Sequence, residues 1–327
     1  MYDVITVGSA TVDVFAKTRF SELIKIIDPK GETDLLAFPS GSKILIDELE
    51  FTTGGGGTNT AVALSRLGHK VGFIGKLGTG TNSDFIHKDM KKEKIDMLCS
   101  HGKGHAGYSV ILDTLEHDRT ILTYKGINDE LRHKDIPYKK LKTKWFYFSS
   151  MLEESFHTLE GLAEFAQQHK IKVAFNPSTY LAEKGLNHLK HIISRTELLV
   201  LNKEEACLLV GQDAVEGLLL KLRSLGPRIV AITDGKHELR VIDEKYIYAA
   251  KPPFVKIVDT TGAGDAFAAS FLCGILRKND VEFAIKLALV NALSVIAHYG
   301  AKNILLNFNE AMKAIKKLRV TIHKKKI

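Results

Sequence analysis

Six short, β-rich apolar runs that lack clean alternation constrain this chain more than any other feature. Val4–Val7, Val71–Ile74, Trp145–Phe148, Lys172–Phe175, Leu198–Leu201 and Arg228–Ile232 carry apolar residues on both sides of any strand they form. Such strands need cover on both faces, as in a parallel sheet held between layers of helices. Helical patterns that supply the cover separate the runs, at Thr58–Leu67, Asp84–Lys94, Ser155–His169, Lys203–Val210 and Ala214–Ser224. The alternation predicts an α/β fold with a doubly wound, mostly parallel sheet flanked by helices. Three further helices are predicted near Ala263–Arg277, Glu282–His298 and Asn309–Arg319.

Two regions break this rhythm. Lys43–Thr53 and Gly107–Tyr124 read as extended segments with no helix between neighbours, the second turning at Glu116–Arg119. Inserted into a parallel fold, they predict a small antiparallel β lid over a ligand crevice. The chain of 327 residues is therefore expected to form one domain, 1–327, with the lid built from about 14–53 and 107–124.

With 45% hydrophobic and 26% charged residues, the chain is neither disordered nor fibrous. Cys99, Cys207 and Cys273 are too few and too scattered for a disulfide framework or a zinc site. The most apolar window, Ala266–Leu276, is far shorter than the roughly 18 residues that span a bilayer. The amino terminus enters a strand-like run without the layout of a signal peptide. A cytoplasmic protein with no membrane partner is expected.

The net charge of +8 invites a nucleic-acid reading, so its position matters. Lys313, Lys316, Lys317, Arg319, Lys324, Lys325 and Lys326 all lie in the last seventeen residues, which hold no acid. The remainder of the chain is nearly neutral. A solvated last helix with a basic tail over 321–327 accounts for the excess, and no nucleic-acid partner is expected.

Two glycine-rich segments and one aspartate carry the chemistry. Asp259-Thr-Thr-Gly-Ala-Gly-Asp265 runs straight into an apolar helix. Gly262, Ala263 and Gly264 would turn the backbone tightly and present N–H donors at a helix N-terminus, where negative charge is favoured. Asp265 beside such donors would repel a phosphate unless it accepts a proton from an attacking hydroxyl. A capping Asp after a tight turn gives the same heptapeptide. Gly54-Gly-Gly-Gly-Thr-Asn59 implies a close backbone approach, with Asn59 on the first helical turn able to grip hydroxyls. No Gly-Lys-Ser/Thr follows, so this is not a Walker A loop, and alone it is also compatible with a plain turn. Val7-Gly-Ser-Ala-Thr-Val-Asp13 lacks the glycines of a dinucleotide fingerprint. Its Asp13 could hold a diol or cap a turn.

Taken together, Gly8–Asp13, the Gly54 loop, Asn202-Lys-Glu-Glu205, Thr233-Asp-Gly235 and Asp259–Asp265 resemble the ribokinase-like (PfkB) carbohydrate kinase family, in family order. The resemblance implies a kinase that uses ATP and Mg²⁺ to phosphorylate a hydroxyl of a sugar or sugar-like acceptor. It implies Asp265 as the general base and Gly262, Ala263 and Gly264 as the anion hole. Asp13, Gly55, Asn59 and Glu153 match acceptor-binding positions. Asn202, Thr233 and Gly235 match nucleotide-binding positions. Glu205 matches the carboxylate that organises Mg²⁺ through water, and Asp259 lies where relatives hold a monovalent cation, K⁺. An Asn-capped helix start also explains Asn202 and Glu205.

The chain departs from ribokinases at Gly56, Thr11 and Glu238, where Lys, Asn and Gly are usual. An insertion at Lys17–Ser40 brings Phe20 and Phe38, with Phe15 beside it, towards the acceptor pocket. These departures keep a nucleoside kinase of the same fold as an alternative. A non-catalytic sugar- or nucleotide-binding regulator is a third reading. Lid sheets in this family can pair between subunits, which leaves a homodimer through the lid open to this chain.

Overall fold

In the computed structural model, which describes residues 1–19, 22–28, 31–113 and 119–327, the chain opens with β1 (Tyr2–Val7) and β2 (Thr11–Lys17). A hairpin, β3 (Glu22–Asp28) and β4 (Gly31–Ala37), precedes β5 (Glu48–Gly54) and α1 (Gly56–Arg66). Next come β6 (Val71–Ile74), β7 (Lys76–Leu77), α2 (Thr81–Lys92), β8 (Asp96–Met97), β9 (Ser100–His101), β10 (Gly107–Asp113) and β11 (Arg119–Tyr124). The chain then runs through β12 (Thr143–Phe148), α3 (Glu153–Gln168), β13 (Lys172–Phe175), α4 (Ser178–Ala182), α5 (Leu186–Ile193), β14 (Leu198–Asn202) and α6 (Lys203–Val210). It ends with α7 (Val215–Ser224), β15 (Ile229–Thr233), β16 (Leu239–Ile242), β17 (Tyr246–Ala250), α8 (Ala263–Lys278), α9 (Val281–Ile296), α10 (Phe308–Lys317) and β18 (Ile322–Lys326).

Among the described residues the central sheet has the order β18-β17-β16-β15-β14-β13-β12-β1-β6-β8. It is parallel from β15 through β8, and the last three strands at the other edge add antiparallel. All six apolar runs lie in the parallel part, as their double-sided pattern predicts. Val4, Trp145 and Tyr147 point into a core shared with α1, α8 and α9. Ile5, Val7, Phe146 and Phe148 point into the opposite core, with α3, α5, α6 and α7. Full burial of one large apolar side chain of this kind stabilises the fold by about 1.5–3 kcal/mol.

Strand order reverses between β1 and β12. From β1 the sheet grows towards β6 and β8 in one direction, and from β12 towards β15 in the other. The crevice at the carboxyl ends of these two strands is where an open α/β sheet accepts ligands.

A second sheet of order β11-β10-β2-β5 forms the expected lid. Its pairings are antiparallel except β2 with β10, which is parallel. β2, hidden in the sequence behind β1, is the central lid strand and carries Asp13 opposite Thr52 and Ser109. The Lys17–Ser40 insertion forms the separate β3–β4 hairpin. Phe20 and residues 116–118 of the predicted turn lie outside the described residues.

The predicted basic tail is ordered as a strand while most of its side chains stay exposed. Residues 322–326 form β18, antiparallel to β17, with Tyr246 opposite Lys326 and Ala250 opposite Ile322. Backbone pairing drives this placement, and the side chains add ion pairs from Lys324 to Glu282 (3.2 Å) and Lys325 to Glu216 (3.3 Å). A lysine-rich outer strand also discourages further edge-to-edge pairing. No helix among the described residues is long and apolar enough to cross a membrane.

Candidate active site

The site assembles where α1 and α8 bring their N-termini to the β1–β12 crevice. β5 leads into the glycine loop, and Gly55, at φ 97°, caps α1. Gly54 has a different reason to lack a side chain: a Cβ there would collide with the Asp13 carboxylate. Asp13 is nearly buried, and its Oδ1 accepts a hydrogen bond from Thr11 Oγ1 at 2.8 Å. Burial raises its pKa, opposed by hydrogen bonds from Thr11 and Ser109 and by the charge of Lys302.

Asn59, three residues into α1, donates from Nδ2 to Asp265 Oδ2 at 2.8 Å. Its own Oδ1 is buried and has no hydrogen-bond partner among the described residues. A buried acceptor without a donor is costly unless a ligand satisfies it. That oxygen faces the need a substrate hydroxyl would meet.

On the other side, Gly262 caps α8 in the left-handed conformation, at φ 75° and ψ 0°. A side chain there would also collide with Ala301. The helix starts at Ala263, so Asp265 falls in its first turn. First-turn N–H groups lack helical acceptors and sit at the positive end of the helix dipole. One of the expected anion-hole donors is partly engaged, since Ala263 N–H donates to Thr260 O at 3.3 Å. Burial pushes the Asp265 carboxyl up to about 6. The Asn59 hydrogen bond and Lys302 lower it, while Asp13 and Glu205 raise it. A carboxylate tuned near neutrality, beside free donors for anionic charge, can take a proton from a hydroxyl during attack on a phosphoryl group.

Asp259 shapes the turn before α8. Its Oδ1 accepts from Thr261 N (2.8 Å) and Thr261 Oγ1 (2.7 Å), and its Oδ2 accepts from Gly300 N (3.1 Å). These bonds explain its burial through loop architecture and give no specific support to a bound cation.

The nucleotide-side residues meet at neighbouring strand ends, where Asn202 of β14 lies opposite Thr233 of β15. Asn202 Oδ1 accepts from Glu205 N at 2.8 Å, and Glu205 Oε2 accepts from Asn202 N at 3.0 Å. This is the capping box that an Asn-x-x-Glu spacing permits. Within this partly exposed helix start Glu205 itself is buried, and burial raises its pKa. Its Oε1 also accepts from Thr179 Oγ1 at 3.3 Å. Among the described residues no three His, Cys, Asp or Glu side chains cluster to cage a metal. One oriented carboxylate suits Mg²⁺, which keeps waters and takes most other ligands from substrate phosphates. Gly235 follows at φ 53° in the turn after β15.

Glu153 is not brought against Asp265 or Asn59. It opens α3 at φ 49°, near Asp129, whose pKa burial raises and Glu153 raises further. The structure also adds residues that no motif marked. Ser149, beyond β12, would meet a side chain at Gly8 or Gly56 and thus sets how closely α1 approaches. Tyr147 is fully buried, and burial with the charges of Asp265 and Glu205 holds its phenol protonated. Lys302 lies buried beside Thr53 and Asp89. No local pattern could have revealed it, because its partners are 213 and 249 residues away.

Comparison with known proteins addresses the family and the fold. An "Uncharacterized sugar kinase" of Archaeoglobus fulgidus is 29% identical over 250 residues, covering 74% of this chain and 97% of that protein. A cytidine kinase of Thermococcus kodakarensis is 28% identical, covering 82% of this chain and 94% of that protein. Among solved structures, a ribokinase of Thermotoga maritima superimposes with a TM-score of 0.81 at 21% identity, over 97% of this chain and 100% of that one. A putative ribokinase II of E. coli in complex with ATP and Mg²⁺ gives 0.81 at 16% identity, over 97% and 100% of the two chains. The pattern of the pfkB family carbohydrate kinases matches residues 21–307, and the chain belongs to that family as a carbohydrate kinase.

Proposed function

We propose that this kinase transfers the γ-phosphoryl group of ATP to a hydroxyl, primary by preference, of a sugar or sugar-like acceptor. The observation that carries the reading is the Asn59–Asp265 pair at the N-terminus of α8. Asp265 accepts the hydroxyl proton as the acceptor oxygen forms its bond to phosphorus and the bond to the departing ADP oxygen breaks. The first-turn donors at Gly262, Ala263 and Gly264 receive the charge on the transferring group. Asp13, Gly55 and Asn59 orient the acceptor; Glu153 remains an acceptor-binding candidate on the family resemblance alone. Asn202, Thr233 and Gly235 bind the nucleotide. Mg²⁺ would arrive with ATP, neutralise phosphate charge and be organised by Glu205 through water. Asp259 is kept as a candidate K⁺ position on family grounds alone.

A nucleoside acceptor is the second reading, favoured by the cytidine kinase relative. A regulator without catalysis is disfavoured by an intact base and its amide partner. Thermal-shift and ADP-release assays with ribose, fructose, adenosine and cytidine, each with Mg²⁺ and a nucleotide, separate these readings. Stabilisation plus ADP release with one acceptor class identifies it, whereas silence across a broad panel supports the regulator.

The proposal includes a homodimer through the lid. Leu49, Phe51, Leu122 and Tyr124 are each more than half exposed, and their register places them on one face of the lid sheet. An apolar sheet face of that kind is usually covered by a partner. The three cysteines are free thiols, which suits the reducing cytoplasm.

A further inference from the structure

We propose that Phe254 is the stacking platform for the base of the donor nucleotide, which it holds by the flat face alone, so that adenine and guanine bind alike; this role rests on the phosphoryl-transfer reading above.

Phe254 is 98% exposed, whereas the next large apolar side chain among the described residues, Ile27, reaches 78%. It stands midway along residues 251–257, which form neither strand nor helix. Pro252 and Pro253 precede it, and their rings fix the backbone φ on its approach. Ile257, also more than half exposed, follows. A single exposed apolar residue needs no explanation. A ring held wholly outside, within a stiffened apolar stretch, marks a surface kept for a ligand.

Both ends of the stretch are fixed on the nucleotide side of the crevice. At one end Ala250 of β17 lies opposite Leu239 of β16, so the chain leaves the sheet beside the 234–238 turn that carries Gly235. At the other end Val258 N–H donates to Ile296 O at 2.8 Å, and Asp259 leads into the Gly262 cap of α8. The ring is thereby placed between the nucleotide turn and the helix terminus proposed to receive the phosphoryl group. The acceptor residues lie elsewhere, with Asp13 on lid strand β2 and Asn59 on α1.

Chemistry selects the occupant. Exposed Lys251 and Lys256 bracket the apolar stretch, which suits a ligand that joins a flat ring to negative charge. The two carboxylates of the turn are taken up by ion pairs, Asp234 with Lys203 at 3.3 Å and Glu238 with Arg240 at 2.7 Å. A base stacks on an aromatic ring whatever its edge carries, because every base has a π-face and stacking reads no hydrogen bonds. A nucleotide held in this way binds more tightly than bare polyphosphate, and either purine supplies the gain.

The test is calorimetric titration of the full chain with Mg²⁺ and ADP, GDP or inorganic tripolyphosphate. ADP and GDP should bind within about threefold of each other. Phe254→Ala should weaken both by roughly 5- to 150-fold, the loss of one stacked base, and leave tripolyphosphate unmoved. Phe254→Trp should restore affinity. Its fluorescence should be quenched by ADP and not by tripolyphosphate, with the parent as blank, since the sole native tryptophan, Trp145, is buried. At so exposed a position neither substitution disturbs folding. Parent-like ADP affinity in Phe254→Ala overturns the proposal and leaves the kinase reading standing. So does a preference for ADP over GDP beyond roughly tenfold, or a smaller sedimenting species in Phe254→Ala, which would give the ring to a second copy of the chain. A parent that binds neither nucleotide with Mg²⁺ overturns the donor half of the kinase reading, and the platform with it.

Discussion

Replacing Asp265 by Asn should slow the enzyme and stabilise the protein at once. The carboxyl is pushed from an ordinary 3.8 up to about 6, chiefly by burial. Its folded-state pKa therefore lies above the unfolded one, so the folded state binds the proton more tightly. Stability from this group is fully present below about pH 4 and is lost as pH rises through 6. At pH 8 the ionised Asp265 costs up to about 3 kcal/mol, from roughly 1.4 kcal/mol per pKa unit. Asn cannot ionise, and its amide oxygen can still accept from Asn59 Nδ2. The variant should melt a few degrees higher than the parent at pH 8, with the gain shrinking towards zero between pH 6 and pH 4. Turnover should fall by about 10²–10⁴-fold, as expected for loss of a general base, while nucleotide affinity stays near the parent's. Scanning calorimetry across pH, beside ADP-release kinetics, reads both effects. Turnover within tenfold of the parent, or a variant less stable at pH 8, would refute the argument.

Three further outcomes follow from the same structure. Asn59→Ala removes both the partner of Asp265 and the unsatisfied Oδ1, so acceptor KM should rise and the acid limb of the rate profile should move to higher pH; an unchanged KM and limb would remove Asn59 from the site. Phe51→Arg places charge on the apolar lid face, and analytical ultracentrifugation should then show a smaller species than the parent; identical sedimentation would exclude that face as an interface. Deleting residues 321–327 exposes the β17 edge and breaks the ion pairs to Glu216 and Glu282, so Tm should fall with kcat retained; an unaltered Tm would mean that β18 contributes no stability.

Legibility in the sequence followed the range of the forces involved. The six parallel strands could be read because cover on both faces leaves a local mark, an apolar run without alternation. Helices α1, α6 and α8 could be read because their starts combine glycine or Asn-x-x-Glu with an apolar pattern. β18 was hidden because its stability comes from pairing with β17, while its lysines resemble solvated tail. β2 was hidden because it follows β1 after a short turn and joins a different sheet.

Inside the site the same division holds. Asp265, Gly262 and the glycine loop announce themselves because close backbone approach and a left-handed cap restrict which residues fit, and such limits act within a few positions. The sequence alone determined the fold class and marked the helix terminus and the carboxylate beside it that are proposed for phosphoryl transfer. Tertiary structure alone decided that Asn59 grips Asp265, that Glu153 stays apart from them and that Lys302 is buried against Thr53 and Asp89. Those contacts join segments far apart in the chain, and burial, which moves the Asp265 carboxyl towards neutrality, exists only once the segments have packed.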